Sequence, residues 1–412
     1  MKKFKVVTLG CRTNQYESQG YADQLRRMGF VPAKEEERAD LCIVNTCTVT
    51  EGADSSSRHE IRSLLKLHPE AQFAVTGCMA ESAPDAIRSI DSRIRIVPNL
   101  EKERLVEHLF PEEAGLPEFN IQAFDGHTRA FVKVQDGCNS FCTYCIIPYV
   151  RGRSRSRPIG EVVREVEGLV ANGYKEVVLT GINVGDFDGG GNLAALVRAV
   201  DQVNGLERLR ISSIDPDEVD ADLMGAVLGG KKTCPSMHIV LQAGSNVVLK
   251  RMNRKYTRQI FLDTVDRLKQ KAPDFTVTTD VIVGFPGETE ADFEETLEVI
   301  SHVRFAKVHM FPYSPRNRTR AALYPNQIGG EIIRRRKSEL LRRAEQSAFD
   351  LRNRFVGRKM RVLLENEEGE ERISGHTPNF LRVFLPKGNL KQNDLIEVEL
   401  IENRPEGFWG RV

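Results

Sequence analysis

Residues 138–145 read CNSFCTYC, with the three cysteines Cys138, Cys142 and Cys145 spaced C-x₃-C-x₂-C behind the apolar run from Ala130 to Gln135. A zinc ribbon or a ferredoxin site takes a fourth thiolate at a defined offset. None follows nearby, since the next cysteine is the distant Cys234. A cubane held by three thiolates keeps one iron open, and a small molecule can chelate there through an amino and a carboxylate group. Four arginines, Arg151, Arg153, Arg155 and Arg157, then alternate with small residues. In extended geometry they share one face, a row of guanidiniums suited to phosphate. The plainer alternative is a solvated charge run.

Working outward, the cysteine loop follows the first of six strand-like runs: Ala130 to Gln135, Glu176 to Thr180, Arg208 to Ser213, Met237 to Leu241, Thr276 to Val283 and Ala306 to Phe311. Helical spacing intervenes at 160–172, 257–271 and 290–303, and a basic helix over 331–355 has arginines placed to pair with Glu339 and Glu345. Six βα units predict a curved, partly open (β/α)₆ barrel with its site at the strand C-termini. "LTGINVG", "LQAGSN" and "VGFPGE" follow three of these strands. They make Gly181, Asn183, Gln242, Ser245 and Gly284 candidate contacts for a nucleoside cofactor, although each glycine alone reads as a turn. "GAVLGGKK" fails the P-loop pattern because Lys232 stands where Ser or Thr is required.

The first third repeats another unit. "FKVVTLGC", "DLCIVNTC" and "AQFAVTGC" are buried-type strands, each followed by helical spacing, which predicts an open parallel sheet. Cys11, Cys47 and Cys78 each close one of these strands, so the fold gathers three thiols on one edge. Cys42 and Cys234 read as buried small hydrophobes. An iron–sulfur cluster suits the trio. Zinc with a histidine is the alternative, with His59 and His68 available on a helix. The last sixty residues read as four or five short strands of a small β-barrel of the size that binds RNA. Its aromatics Phe380, Phe384, Phe408 and Trp409 are read mostly as core, with base stacking the alternative.

Lys plus Arg (59) and Asp plus Glu (58) nearly cancel, so any nucleic-acid surface is a local patch. No run of about 18 apolar residues is present, and the start, "MKKFKVVTLGC", offers no complete secretory segment. A cytoplasmic chain with no membrane and no DNA partner is expected. Its eight cysteines then point to metal or redox chemistry rather than disulfides.

CNSFCTYC resembles the C-x₃-C-x-Φ-C signature of radical S-adenosylmethionine (SAM) enzymes, with Tyr144 in the aromatic position. "VGFPGE" resembles their adenine-binding turn, and the tail is similar to a TRAM domain. In this order, a three-cysteine domain (1–113), a radical SAM domain (124–352) and a TRAM-like barrel (353–412) resemble the methylthiotransferase family. The resemblance implies two [4Fe–4S] clusters. An auxiliary one would sit on Cys11, Cys47 and Cys78, and a radical-generating one that binds SAM on Cys138, Cys142 and Cys145. It also implies replacement of a C–H bond by C–S–CH₃ and the need for a reducing electron donor and a sulfur source. "TLGCRTNQYES", the cysteine-loop segment and "SSIDP" look most like the group acting on threonylcarbamoyladenosine 37 of tRNA. Alternatives are isopentenyladenosine 37, a ribosomal-protein aspartate, or a non-catalytic iron–sulfur RNA-binding protein. Under this reading the arginine row guides tRNA.

Overall fold

The computed structural model describes residues 1–412. Its first sheet is parallel, with strands β1 (Lys3–Thr8), β2 (Val31–Pro32), β3 (Leu41–Thr46), β4 (Gln72–Gly77) and β5 (Arg95–Ile96) in the order β2-β1-β3-β4-β5. Every residue of β3 is buried because helices cover both faces, which is why its sequence is an unbroken apolar run closed by small polar residues. Tyr21 and Leu25 of the helix Arg12–Arg27 pack on one side against Phe4 and Ile43. Ile61 and Leu64 of the helix Glu51–Leu67 pack on the other, against Cys42 and Val44. Cys42 is therefore core, as expected.

The second sheet begins with β6 (Arg129–Lys133). Two residues on, β7 (Gln135–Asp136) and β8 (Arg155–Ser156) form a short antiparallel pair that closes the cysteine loop. The predicted first strand thus ends two residues early, because the chain turns there to build that pair. The remaining strands are β9 (Glu176–Thr180), β10 (Arg208–Ile214), β11 (Thr233–Ile239), β12 (Thr276–Val283) and β13 (Lys307–Pro312). All six long strands are parallel, in the order β13-β12-β11-β10-β9-β6, and β13 does not pair with β6. The result is an open half-barrel. Outward residues such as Val177, Leu179, Ile239 and Val277 join the largest apolar core under the helices. Inward positions carry polar groups, among them Arg210, His238, Asp280 and His309.

The basic helix spans Gly330–Asn353. Of the two expected pairings, Arg335 reaches Glu339 at 3.8 Å, and Glu345 makes none. The stronger link is Arg336, buried against Glu288 at 2.7 Å, which ties the helix to the turn after β12.

Strands β14 (Lys359–Glu368), β15 (Arg372–His376), β16 (Arg382–Pro386), β17 (Leu395–Arg404) and β18 (Gly407–Arg411) close into a barrel ordered β14-β15-β16-β18-β17. Val362, Leu364, Ile373, Val383, Leu385 and Phe408 fill it. The barrel sits under the N-terminal ends of the half-barrel strands: Arg208 donates to the His376 carbonyl (2.8 Å) and Arg210 to those of Thr377 (2.9 Å) and Pro378 (2.8 Å). Phe384 and Phe408 are core as expected, and Trp409 is half-buried beneath Arg404. Phe380 corrects the core expectation. It stacks on His376 at 4.6 Å, with Arg129 and Arg210 over its ring, as part of the joint between the two barrels.

Glu176 holds that joint together. Burial pushes its carboxyl up, but Arg210, Arg129 and Arg208 together outweigh burial and hold it down to about 2. A carboxylate depressed in the fold contributes stability that is complete above its unfolded value, near 4.5, and is lost as pH falls toward 2. Acid titration from pH 5 to 2 is expected to cost roughly 3 kcal/mol at this site. In Glu176→Gln that part of the acid sensitivity disappears, which denaturant melts at pH 5 and pH 3 would read.

Candidate active site

The loop carrying Cys138, Cys142 and Cys145 is shaped by backbone that only particular residues tolerate. Gly137 has φ +74° and lies so close to the Arg153 carbonyl that an added Cβ would meet it at 2.0 Å. The Cys138 amide donates to the Gly152 carbonyl at 3.1 Å, and the Cys145 amide to that of Cys142 at 3.0 Å. The thiols gather at the C-terminal end of β6. Burial pushes Cys138 and Cys145 up, with Cys142 adding to both. Hydrogen bonds already point at two sulfurs: Arg254 donates to Cys142 Sγ at 2.9 Å and the Ser140 amide to Cys138 Sγ at 3.4 Å. Arg254 also pairs with Asp215.

The second trio stands where predicted. Cys11 opens the helix Arg12–Arg27, Cys47 follows β3, and Cys78 opens the helix Cys78–Ser82. Asn14 braces two of these loops by donating to the Leu9 carbonyl (2.7 Å) and the Thr46 carbonyl (3.1 Å). Burial pushes Cys47 up to about 11, with Cys78 and Cys11 contributing, and raises Cys78. Gly77, at φ +91°, would set a Cβ 2.4 Å from the Thr46 carbonyl. Gly77→Ala is expected to cost on the order of 1–3 kcal/mol and to displace Cys78. A thermal melt together with reduced cluster loading after anaerobic reconstitution would check this.

The two trios meet through the segment behind Cys145. Ile146 and Val150 pack on Cys78, and Asn99 donates to the Val150 carbonyl at 2.7 Å while lying 3.8 Å from Cys78 Sγ. Arg151, 1% exposed, contacts Glu17 at 3.1 Å and Asp136 at 2.9 Å and donates to Asn14. Lys102 joins the same carboxylates at 2.7 and 2.5 Å. The arginine row is therefore not one-sided. Gly152 at φ +77° breaks the extended run, and only Arg155–Ser156 is strand. Arg157 turns inward to Glu165 at 2.8 Å and Tyr16 at 2.9 Å. Arg153, over the Phe141 ring at 4.4 Å, and Arg155 face solvent.

The other predicted contacts divide. Tyr144 is half-buried with its ring edge-on to Phe285 at 6.4 Å. At Gly181 a Cβ would lie 2.9 Å from Gln135 Oε1, which accepts the Ile182 and Asn183 amides, both at 3.0 Å. Asn183 donates to Glu218 at 2.9 Å. Burial, with Asp215 behind it, holds Glu218 up to about 7. Gln242 has φ 63° and a buried Oε1 that accepts nothing. Ser245 is buried, caps a helix and donates to Asp292 at 2.5 Å, so its hydroxyl is committed within the fold. Gly284, at φ +79°, makes room for Ile333 of the basic helix. Arg254, Asp215 and Glu218 were missed. Only Asp215 lay in a motif singled out, "SSIDP".

The donor set fits iron–sulfur clusters better than a single ion. Each trio is all thiol, and each thiolate of a cubane binds a different iron. His68, the zinc alternative's ligand, is buried with Nδ1 accepting the Ala39 amide at 3.0 Å. Buried thiols raised in pKa need a cation to be held as thiolates, and amide and guanidinium N–H groups aimed at the sulfurs are the outer contacts that tune such clusters.

Residues 132–300 match the Radical SAM superfamily, and residues 3–98 match Uncharacterized protein family UPF0004. Threonylcarbamoyladenosine tRNA methylthiotransferase MtaB of Chlamydia pneumoniae is 49% identical over 99% of this chain and 98% of its own. The chain belongs to the radical SAM methylthiotransferases. MtaB of Bacillus subtilis (strain 168) is 35% identical over 96% of this methylthiotransferase and 93% of its own length. The tRNA-2-methylthio-N(6)-dimethylallyladenosine synthase of Carboxydothermus hydrogenoformans is 35% identical over 98% and 97%. Among solved structures, the radical S-adenosylmethionine methyltransferase TsrM from Kitasatospora setae aligns with a TM-score of 0.55 at 15% identity, covering 76% of this methylthiotransferase and 77% of that chain. That likeness supports the half-barrel fold. Methylthiotransferases of this kind carry two [4Fe–4S] clusters and use SAM.

Proposed function

We propose that the enzyme adds a 2-methylthio group to N6-threonylcarbamoyladenosine at position 37 of tRNA. The observation that carries this is the 49% identity, along the whole chain, to a protein named for that reaction. The dimethylallyladenosine synthases are the second reading, since one of them matches at the same 35% as the MtaB of Bacillus subtilis. "TLGCRTNQYES" and "SSIDP" favour the first.

In this reading residues 1–113, 124–352 and 353–412 are the three domains. Cys138, Cys142 and Cys145 hold the radical-generating cluster, and Cys11, Cys47 and Cys78 the auxiliary one. When bound and reduced, the former would supply a 5′-deoxyadenosyl radical from SAM, and the auxiliary cluster would take part in sulfur insertion. The chain's own residues position and insulate. Arg254 anchors the cysteine loop against Asp215, and Tyr144 with Phe285 walls the site from water. Gly181, Asn183, Gln242 and Glu218 line the cofactor's side, while Arg153 and Arg155 steer tRNA phosphates. Ser245, through its helix cap and its bond to Asp292, and Gly284, through its packing on Ile333, support this side. A reducing electron donor and a sulfur source in the cytoplasm complete the cycle.

Reconstituted enzyme given SAM, reductant and tRNA bearing either modified adenosine tests the reading. The 2-methylthio product should form on threonylcarbamoyladenosine. Product on isopentenyladenosine alone would select the second reading.

A further inference from the structure

Arg12 follows Cys11 directly and is the first residue of its helix, whose first turn carries no acidic residue. A cation there opposes the helix dipole, so folding alone does not ask for it. Its guanidinium lies over the Phe131 ring of β6, 5.2 Å from the centroid, and makes no hydrogen bond or ion pair within the protein. Phe131 pairs in register with Val178 of β9, and Val178 with Arg210 of β10, so Arg12 lies over the row of inward positions that carries Arg210.

The neighbouring charges are otherwise engaged. Arg210 is bound by Glu176, Ser236 and two carbonyls of the terminal barrel, and Asp280 lies 3.3 Å from His238. Two further donors on the inner face are idle. Ser212, the next inward position after Arg210, has a buried hydroxyl without a partner, and so does Nη1 of Arg129. These donors share the inward face with Phe131 and would offer hydrogen bonds to an anion held by the Arg12 guanidinium.

We propose that Arg12 binds the carboxylate of the threonylcarbamoyl substituent and so sets substrate specificity, with Ser212 and Arg129 donating to the same substituent. This rests on the threonylcarbamoyladenosine reading. An isopentenyl group has no charge to offer and would cover the half-buried Arg12 without pairing it, which turns attraction into rejection. Arg12 is a specificity residue and takes no part in the radical chemistry.

The test measures binding of the full chain to anticodon stem-loops carrying threonylcarbamoyladenosine, its neutral threonine-amide analogue, or isopentenyladenosine. Wild type should prefer the carboxylate over the amide by on the order of tenfold to a hundredfold. Arg12→Gln should bring that ratio near one without weakening the amide or isopentenyl stem-loops, and Arg12→Lys should restore most of it. Equal weakening of all three RNAs by Arg12→Gln would mark a phosphate contact and overturn the proposal, as would an unchanged ratio. If wild type shows no preference and does not methylthiolate threonylcarbamoyladenosine, the functional reading fails and the specificity role falls with it. If wild type does methylthiolate but Arg12→Gln changes nothing, only the role of Arg12 fails.

Discussion

Arg151→Leu is expected to lower stability by about 3–5 kcal/mol, because it removes one partner from a buried charge network and leaves the others in place. Glu17 is fully buried, and Asp136 nearly so. Burial pushes Glu17 up, and only the sum of Lys102, Arg151 and Lys133 brings it down to about 2. Without Arg151, Lys102 and Lys133 must serve Glu17, Asp136 and the partly exposed Glu103. Leucine fills some of the space but offers nothing to the carboxylates or to Asn14, which braces the loops of Cys11 and Cys47. A melting temperature lower by on the order of 10 °C would be the readout. Arg151→Lys, which keeps the charge but loses the fork, should fall between. An unchanged melt in Arg151→Leu would show that the network is not what joins the two cysteine sites.

The second large effect separates the two trios by their products. Cys145→Ala leaves two thiols in a loop that needs three, and reconstituted protein should carry about four irons rather than about eight. It should form neither 5′-deoxyadenosine nor methylthiolated nucleoside above the no-enzyme level. Cys78→Ala should show the same iron deficit yet still release 5′-deoxyadenosine, because the loop of Cys138, Cys142 and Cys145 does not depend on Cys78 for its backbone bonds. Equal loss of both products in the two variants would contradict the division of roles.

These contrasts also explain what was legible in the sequence. Glu176–Thr180 and Thr276–Val283 were readable to the residue because each is a short β-branched run bounded by turn residues. The gathering of Cys11, Cys47 and Cys78 followed from topology alone, since parallel strands place all their C-terminal ends on one edge. The arginine row misled for a different reason. Arg151 finds Glu17 from 134 residues away, a partnership no local pattern announces. Ser245 and Gly284 sit where a cofactor contact was expected, but the first caps a helix and the second accommodates Ile333, two local demands that glycine and serine meet as readily as ligand binding. Phe380 read as barrel core or, alternatively, as a base-stacking residue. The docking of the terminal barrel under the half-barrel instead stacks it on His376 and sets it, half-buried, beneath Arg129 and Arg210. Arg254 was invisible because its role depends on reaching Cys142 across the loop.

The most direct test of the account is mass spectrometry of nucleosides from bulk tRNA of a strain lacking this protein, complemented with wild type or Cys145→Ala. The account predicts that 2-methylthio-N6-threonylcarbamoyladenosine is absent from the deletion strain, returns with wild type and stays absent with Cys145→Ala. An unchanged level of that nucleoside in the deletion strain would contradict it.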